Sequence, residues 1–286
     1  MMISKDKNIL IVGLGLIGGS YARALTKQGY KVSAITRTQS SIDYAVKENI
    51  INNGFSFVDE DTVKNADIVV FALYPEVFYD WIYKYQHLLK SGAVITDVTG
   101  VKSCIVYKIQ ELLREDVEFI AAHPMAGREV YGVENSDDNI FKGANYIVVP
   151  TDKNTESGVS LCSELGQILG FNRISVLSPE EHDEIIAFVS QLTHCIAVSL
   201  MTCSENEKLV AYTGDSFRDL TRIARINENM WSELFVLNKE ALVSQIELFE
   251  HELSDLKDMI KNERIDKMKE KMRLSTKRRA LFDKNV

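Results

Sequence analysis

The stretch that most constrains this chain is residues 7–25, where the apolar run 9–12 breaks into Gly13-x-Gly15-x-x-Gly18. A helical pattern follows, with Ile17, Tyr21 and Leu25 on one face. A buried strand, a tight glycine turn and a helix, in that order, open a βαβ unit that binds a dinucleotide. Gly13 lets the chain turn, Gly15 lets the backbone approach a pyrophosphate, and Gly18 lets helix and strand pack closely. Leu16 and Ile17 begin the helix whose unpaired N–H groups would meet the phosphates.

Beyond residue 25 the chain keeps that alternation. Strands are expected at 30–35, near 55–58, and at 67–73, 93–98 and 118–122, with helices at 41–49, 76–89 and 102–114. This predicts a parallel sheet with helices on both faces. Leu73, which ends the third of these strands, belongs with the cofactor-binding residues. Residues 123–142 read as loop, and 144–150, 156–169 and 173–176 are expected to complete the sheet. Ser178-Pro179-Glu180-Glu181 is then a capping box with proline at the first helical position. Beyond it only helices are expected, at 179–203, 215–225 and 229–251, and in a charged tail. The chain is therefore α/β, an N-terminal doubly wound Rossmann-type dinucleotide-binding domain (1–177) followed by an all-helical C-terminal domain (178–286).

Composition narrows the function. A net charge of −8 gives no reason to expect nucleic acid. The four cysteines form no CxxC pair and no metal-ligand spacing, which points to reduced thiols in the cytoplasm and to no metal. Lys5 and Lys7 precede an apolar run, but its glycines argue for a strand over a signal peptide. Residues 185–204 carry no charge over about a transmembrane length. Gln191, His194 and several hydroxyls make that segment too polar for lipid, so a helix buried in protein is expected. In the basic tail, Ile265, Met268 and Met272 keep helical spacing, as in a solvated helix that packs on a second subunit.

Several residues could carry chemistry. The second strand ends in Thr36-Arg37-Thr38-Gln39-Ser40-Ser41, with no acid before Asp43. A carboxylate there would bind the ribose hydroxyls of NAD, whereas an arginine with hydroxyls suits a 2′-phosphate, so NADP is favoured over NAD. His123 follows a strand whose carboxyl end should face the ligand crevice, where an imidazole with a pKa of about 6.5 suits a general base. By position alone, a histidine capping a loop fits equally. His194 lies within the apolar helix, where a hydrogen-bonded core histidine is the ordinary explanation, and no spacing pairs it with His182 as a metal site. Arg218, Arg222 and Arg225 share a helical face, with Asp219 placed for a local ion pair to Arg222. A solvated, salt-bridged face and a cationic pocket for a carboxylate both fit that stripe.

Together these motifs resemble the prephenate/arogenate dehydrogenase family of tyrosine biosynthesis, over nearly the whole chain. The resemblance rests on Val12–Ser20, Asp97-x-x-x-Val101-Lys102, His123-Pro-Met-Ala-Gly127 and Phe217-Arg-Asp-x-Thr-Arg-Ile-Ala224. It implies oxidative decarboxylation of prephenate or arogenate, with hydride passing to NAD(P), and a homodimer formed through the helical domain. It implies that His123 takes the proton of the ring hydroxyl and that Arg222 binds the ring carboxylate, oriented by Asp219. It also places His194 near the substrate, with Glu129 and Trp231 lining or gating the pocket. One departure stands out: the family's usual serine is Gly100 here, and Thr99 is the neighbour that could supply the missing hydroxyl. Two rival functions make different demands. A β-hydroxyacid dehydrogenase would want a lysine on the first long helix of the second domain, and 188–203 has none. A non-catalytic dinucleotide sensor would need neither His123 nor Arg222.

Overall fold

The computed structural model describes residues 3–282 and divides into two compact units, Met1–Asn238 and Lys239–Val286. The first unit holds a six-stranded parallel sheet in the order β3-β2-β1-β4-β5-β6. Its strands are β1 (Asn8–Val12), β2 (Lys31–Ile35), β3 (Asn53–Phe55), β4 (Ile68–Phe71), β5 (Val94–Asp97) and β6 (Glu118–Phe119). All four residues of β4 and the last four of β1 are buried, as a strand covered on both faces requires. The intervening helices are α1 (Leu16–Lys27), α2 (Gln39–Lys47), α3 (Glu60–Asn65), α4 (Pro75–Tyr85) and α5 (Ser103–Leu112). The sequence pattern did not reveal α3, which is a single short stretch started by Asp59, whose carboxylate accepts from the Thr62 amide at 3.0 Å. Strand order reverses between β1 and β4, and the crevice above their carboxyl ends is where such sheets bind ligands.

The expected continuation of this sheet is corrected by the structure. The strand expected at 118–122 is divided: β6 ends at Phe119, and β7 (Ala121–Met125) starts a separate sheet with β8 (Asn145–Val149) and β9 (Arg173–Val176). Here β7 runs antiparallel to β8, with His123 opposite Ile147, and β8 is parallel to β9. Pro124 sits on β7, an edge strand, where a missing N–H can leave the ladder intact. α6 (Glu156–Ile168) joins β8 to β9.

The capping box is present: the Ser178 hydroxyl accepts from the Glu181 amide, and the Glu181 carboxylate accepts from the Ser178 amide at 2.9 Å. It starts α7 (Pro179–Ile186), which continues through one π turn, Ala187–Leu192, into α8 (Thr193–Thr202). The expected burial of this helix is not achieved within one chain. Ile185, Phe188, Val189 and Met201 are exposed, although Pro179–Thr202 is apolar and long enough to cross a bilayer. α9 (Asp215–Thr221) and α10 (Glu228–Leu237) complete the unit, and no strand follows β9 among the described residues. The helix expected at 229–251 is interrupted at Asn238, which bonds sideways to the Asp183 carbonyl and the Gln191 amide oxygen. The second unit consists of α11 (Lys239–Lys261) and α12 (Ile265–Arg279), joined by a turn in which Glu263 has a φ of 52°. Lys271 on α12 pairs with Glu252 on α11.

Candidate active site

The first component of the site is the glycine turn. Gly13 has a φ of +100°, and a Cβ there would strike the Ala72 carbonyl oxygen. A Cβ on Gly18 would strike the carbonyl oxygen of Gly13, so helix and turn touch backbone to backbone. Above Gly15 the space is open, with nothing within 4 Å of an added Cβ. Leu16 and Ile17 start α1, whose first turn has no side-chain cap and no acidic residue, leaving its dipole free for an anion. Leu73 reaches within 3.0 Å of the position a Gly13 Cβ would take. These residues fit the diphosphate of a dinucleotide. At the end of β2, Thr36 is half-buried, Arg37 and Ser40 are exposed, and no ion pair among the described residues engages Arg37. Asp43, the nearest acid, accepts from Gln39 at 2.9 Å.

The second component surrounds His123. Asp97 and Lys102 are both fully buried and lie 2.7 Å apart. Lys102 also donates to the Ala122 carbonyl at 2.7 Å, and Asp97 accepts from the Ala122 amide at 3.0 Å. Both backbone groups of the residue before His123 are thereby tied to one ion pair. Burial lowers the Lys102 pKa, with Asp97 opposing the shift. The Thr99 hydroxyl donates to Asp97, with the Val101 carbonyl oxygen also 3.0 Å away, and accepts from Lys102, so its contacts are with this cluster.

On its other side, His123 Nδ1 lies 2.9 Å from His182 Nε2, and His182 Nδ1 lies 2.7 Å from Asp183 Oδ1. Asp183 also accepts the amides of Lys102 and Ser103, each at 2.8 Å, at the start of α5. Burial holds His123 well below the ordinary imidazole range, and the nearby His182 and Lys102 act in the same direction. Burial lowers His182 as well, against the opposing hydrogen bond to Asp183. For Asp183 burial acts upward, yet the His182 and Ser103 contacts leave its pKa lowered. His123 Nε2 is left on the side of Gly100, where an added Cβ would sit 3.9 Å from it and 3.5 Å from Leu234. Sequence reasoning does not reach the roles of His182 and Asp183. Their signal is two polar residues that share the buried side of α7 with Ile186, one turn after a fixed helix start.

The third component lies beside Leu234, on the same helix as Trp231. His194 donates from Nδ1 to the Ser190 carbonyl at 2.9 Å and stacks on Trp231 with ring centroids 3.7 Å apart. Its pKa is lowered, mainly by burial, with Glu129 and Arg222 close enough to act on it. Arg222 donates to Glu129 at 2.6 Å, a contact spanning 93 residues of sequence. The expected Arg222–Asp219 pair is replaced by this one, and Asp219 is exposed. The arginine stripe is also broken. α9 ends at Thr221, Arg222–Ala224 is a 3₁₀ turn, and Arg218 pairs with Asp215 instead. Glu129, His194, Arg222 and Trp231 thus form one cluster, connected to His123 through Leu234 and Gly100. Among the described residues no group of histidine, cysteine and acidic side chains could hold a metal ion.

A glycine turn open to a dinucleotide, with a histidine on β7 held by a buried hydrogen-bonded network, is the layout of a nicotinamide-dependent oxidoreductase. Models of the nucleotide-binding and dimerization domains of prephenate dehydrogenase match residues 21–170 and 178–274. The chain belongs to the prephenate dehydrogenase family. It is 31% identical over 260 residues to prephenate dehydrogenase of Lactococcus lactis, covering 87% of this chain and 70% of that one. It is 28% identical over 281 residues to cyclohexadienyl dehydrogenase of Zymomonas mobilis, covering 96% and 95%. The structure of Aquifex aeolicus prephenate dehydrogenase in complex with hydroxyphenyl propionate and NAD+ is similar, with a TM-score of 0.89 and 32% identity, covering 98% of this chain and 99% of that one.

Proposed function

We infer that this chain catalyses the oxidative decarboxylation of prephenate or arogenate in tyrosine biosynthesis. The observation that carries the reading is His123, which lies within β7 and not after a strand as the sequence suggested, anchored on one side through Nδ1 with Nε2 left on the side of Gly100. The nicotinamide, when bound, supplies the acceptor for the hydride of the ring carbon that bears the hydroxyl. His123 takes the hydroxyl proton at Nε2, and its depressed pKa keeps it unprotonated for that task at neutral pH. Arg222 holds the ring carboxylate, exchanging its bond to Glu129 for one to the substrate. His194 and Trp231 form the wall beside it. Once the ring carbon is a ketone, carbon dioxide leaves and the ring becomes aromatic, giving 4-hydroxyphenylpyruvate from prephenate or tyrosine from arogenate.

The exposed Arg37, with Thr36 and Ser40 beside it, supports a preference for NADP. The uncovered apolar side chains of α7 and α8, in the part matched by a dimerization-domain model, support a homodimer through the helical segments. The Ser178 capping box supports a boundary between residues 177 and 178. The deciding experiment offers purified protein each substrate with each cofactor and follows absorbance of the reduced nicotinamide. Absence of reduction in all four mixtures would end this reading.

A further inference from the structure

We propose that His182 and Asp183 are positioning residues that fix the tautomer of His123, placing its proton on Nδ1 and its lone pair on Nε2. The carboxylate sets the first proton. Asp183 accepts two backbone amides at 2.8 Å and meets His182 Nδ1 at 2.7 Å. An ionised carboxylate can only accept, so His182 must carry its proton on Nδ1. A neutral His182 then has a bare Nε2, which can only accept. The group 2.9 Å from that nitrogen, His123 Nδ1, must therefore be the donor. This chain of three residues leaves Nε2 of a neutral His123 without a proton, on the Gly100 side.

Neutral His182 is consistent with its surroundings. The charged and titratable groups facing it are Asp183 on α7, Lys102 before α5, Asp97 at the end of β5 and His123 on β7. Asp97 and Lys102 neutralise each other, and His182 is fully buried. When His123 takes a proton, its Nδ1–H remains bonded to His182, and the new positive charge lies in line with the Asp183 carboxylate. The arrangement extends the logic of a carboxylate that orients a catalytic imidazole, with a second imidazole interposed.

The proposal rests on His123 being the base, so its test has a readout that needs no turnover. The full-length protein, labelled with ¹⁵N-histidine and containing five histidines, is examined by NMR above pH 7.5, with His123→Asn used for assignment. The expected result is His123 protonated on Nδ1 and bare on Nε2. In His182→Phe, His123 should move to the Nε2–H form, and kcat should fall about 10- to 100-fold with cofactor Kd unchanged. His182→Gln, whose amide oxygen can accept from Nδ1, should recover the Nδ1–H form and most of kcat. A wild-type His123 protonated on Nε2 overturns the proposal whether or not the variants fold. So does a folded His182→Phe that keeps both the Nδ1–H form and full kcat. Wild-type protein that shows the Nδ1–H form but oxidises neither substrate would instead remove the functional reading and leave the positioning intact.

Discussion

Arg222 and Glu129 give the sharpest test of the site, because the two partners of one ion pair should change KM in opposite directions. Their contact is short, at 2.6 Å, but the side chains are 64% and 37% exposed. Such a pair stabilises the fold by no more than about 1 kcal/mol, so neither substitution should unfold the protein. On the proposed function, a substrate carboxylate at Arg222 would compete with Glu129 for the guanidinium. Arg222→Gln removes a charge-assisted bond worth about 1.5–3 kcal/mol, which predicts a KM about 10- to 150-fold higher. Glu129→Gln removes the competitor and keeps the arginine. Recovering up to about 1 kcal/mol predicts a KM lower by up to about fivefold. In both, kcat should change less than KM, because the contact already exists in the bound substrate. Steady-state kinetics with thermal unfolding as the control would measure this. A Glu129→Gln variant whose KM rises alongside that of Arg222→Gln would refute the displacement argument. An Arg222→Gln variant with unchanged KM would return Arg222 to an ordinary surface pair.

Four further outcomes are expected. His123→Asn should lower kcat by about two to four orders of magnitude with cofactor affinity retained, read in the nicotinamide assay and by cofactor titration. Arg37→Ala should weaken NADP binding at least about tenfold and leave NAD unchanged, read by fluorescence titration. Acid should destabilise the protein: His123 and His182 have lowered folded pKa values, so the unfolded chain binds more protons once pH drops below about 6.5. Their contribution is complete above that pH and is lost as pH falls from the unfolded towards the folded pKa, visible as a Tm that falls as pH drops below about 6.5. Phe188→Asp, on the uncovered apolar side of the helix, should give a monomer by light scattering where the unaltered protein gives a dimer.

Much of this fold is legible in the sequence because its signals are local. Buried parallel strands read as continuous apolar runs, and the glycine turn and the Ser178 capping box carry their geometry in a few residues. The features that escape depend on contacts distant in sequence. Whether 121–125 joins the first sheet or starts a second is decided by its pairing with 145–149, and both choices look like a strand. Helical spacing pairs Arg222 with the acid three residues before it, because helical neighbours are readable. Its actual partner is 93 residues away, since α9 ends at Thr221 before that spacing can apply. His182 lies beyond reach for the same reason. Its partner His123 comes from a strand 59 residues earlier.

The π turn at Ala187–Leu192 has a consequence for how such a site can arise. A π turn is an α-helix carrying one extra residue, and one residue rotates everything after it by about 100°. His182 and Asp183 precede the turn and connect to His123, while His194 follows it and stacks on Trp231. A single codon gained within this stretch would re-aim the second half of the helix without disturbing the first. Two halves of one helix can thus be tuned separately, the leading half held to His123 and the trailing half free to shift against α10.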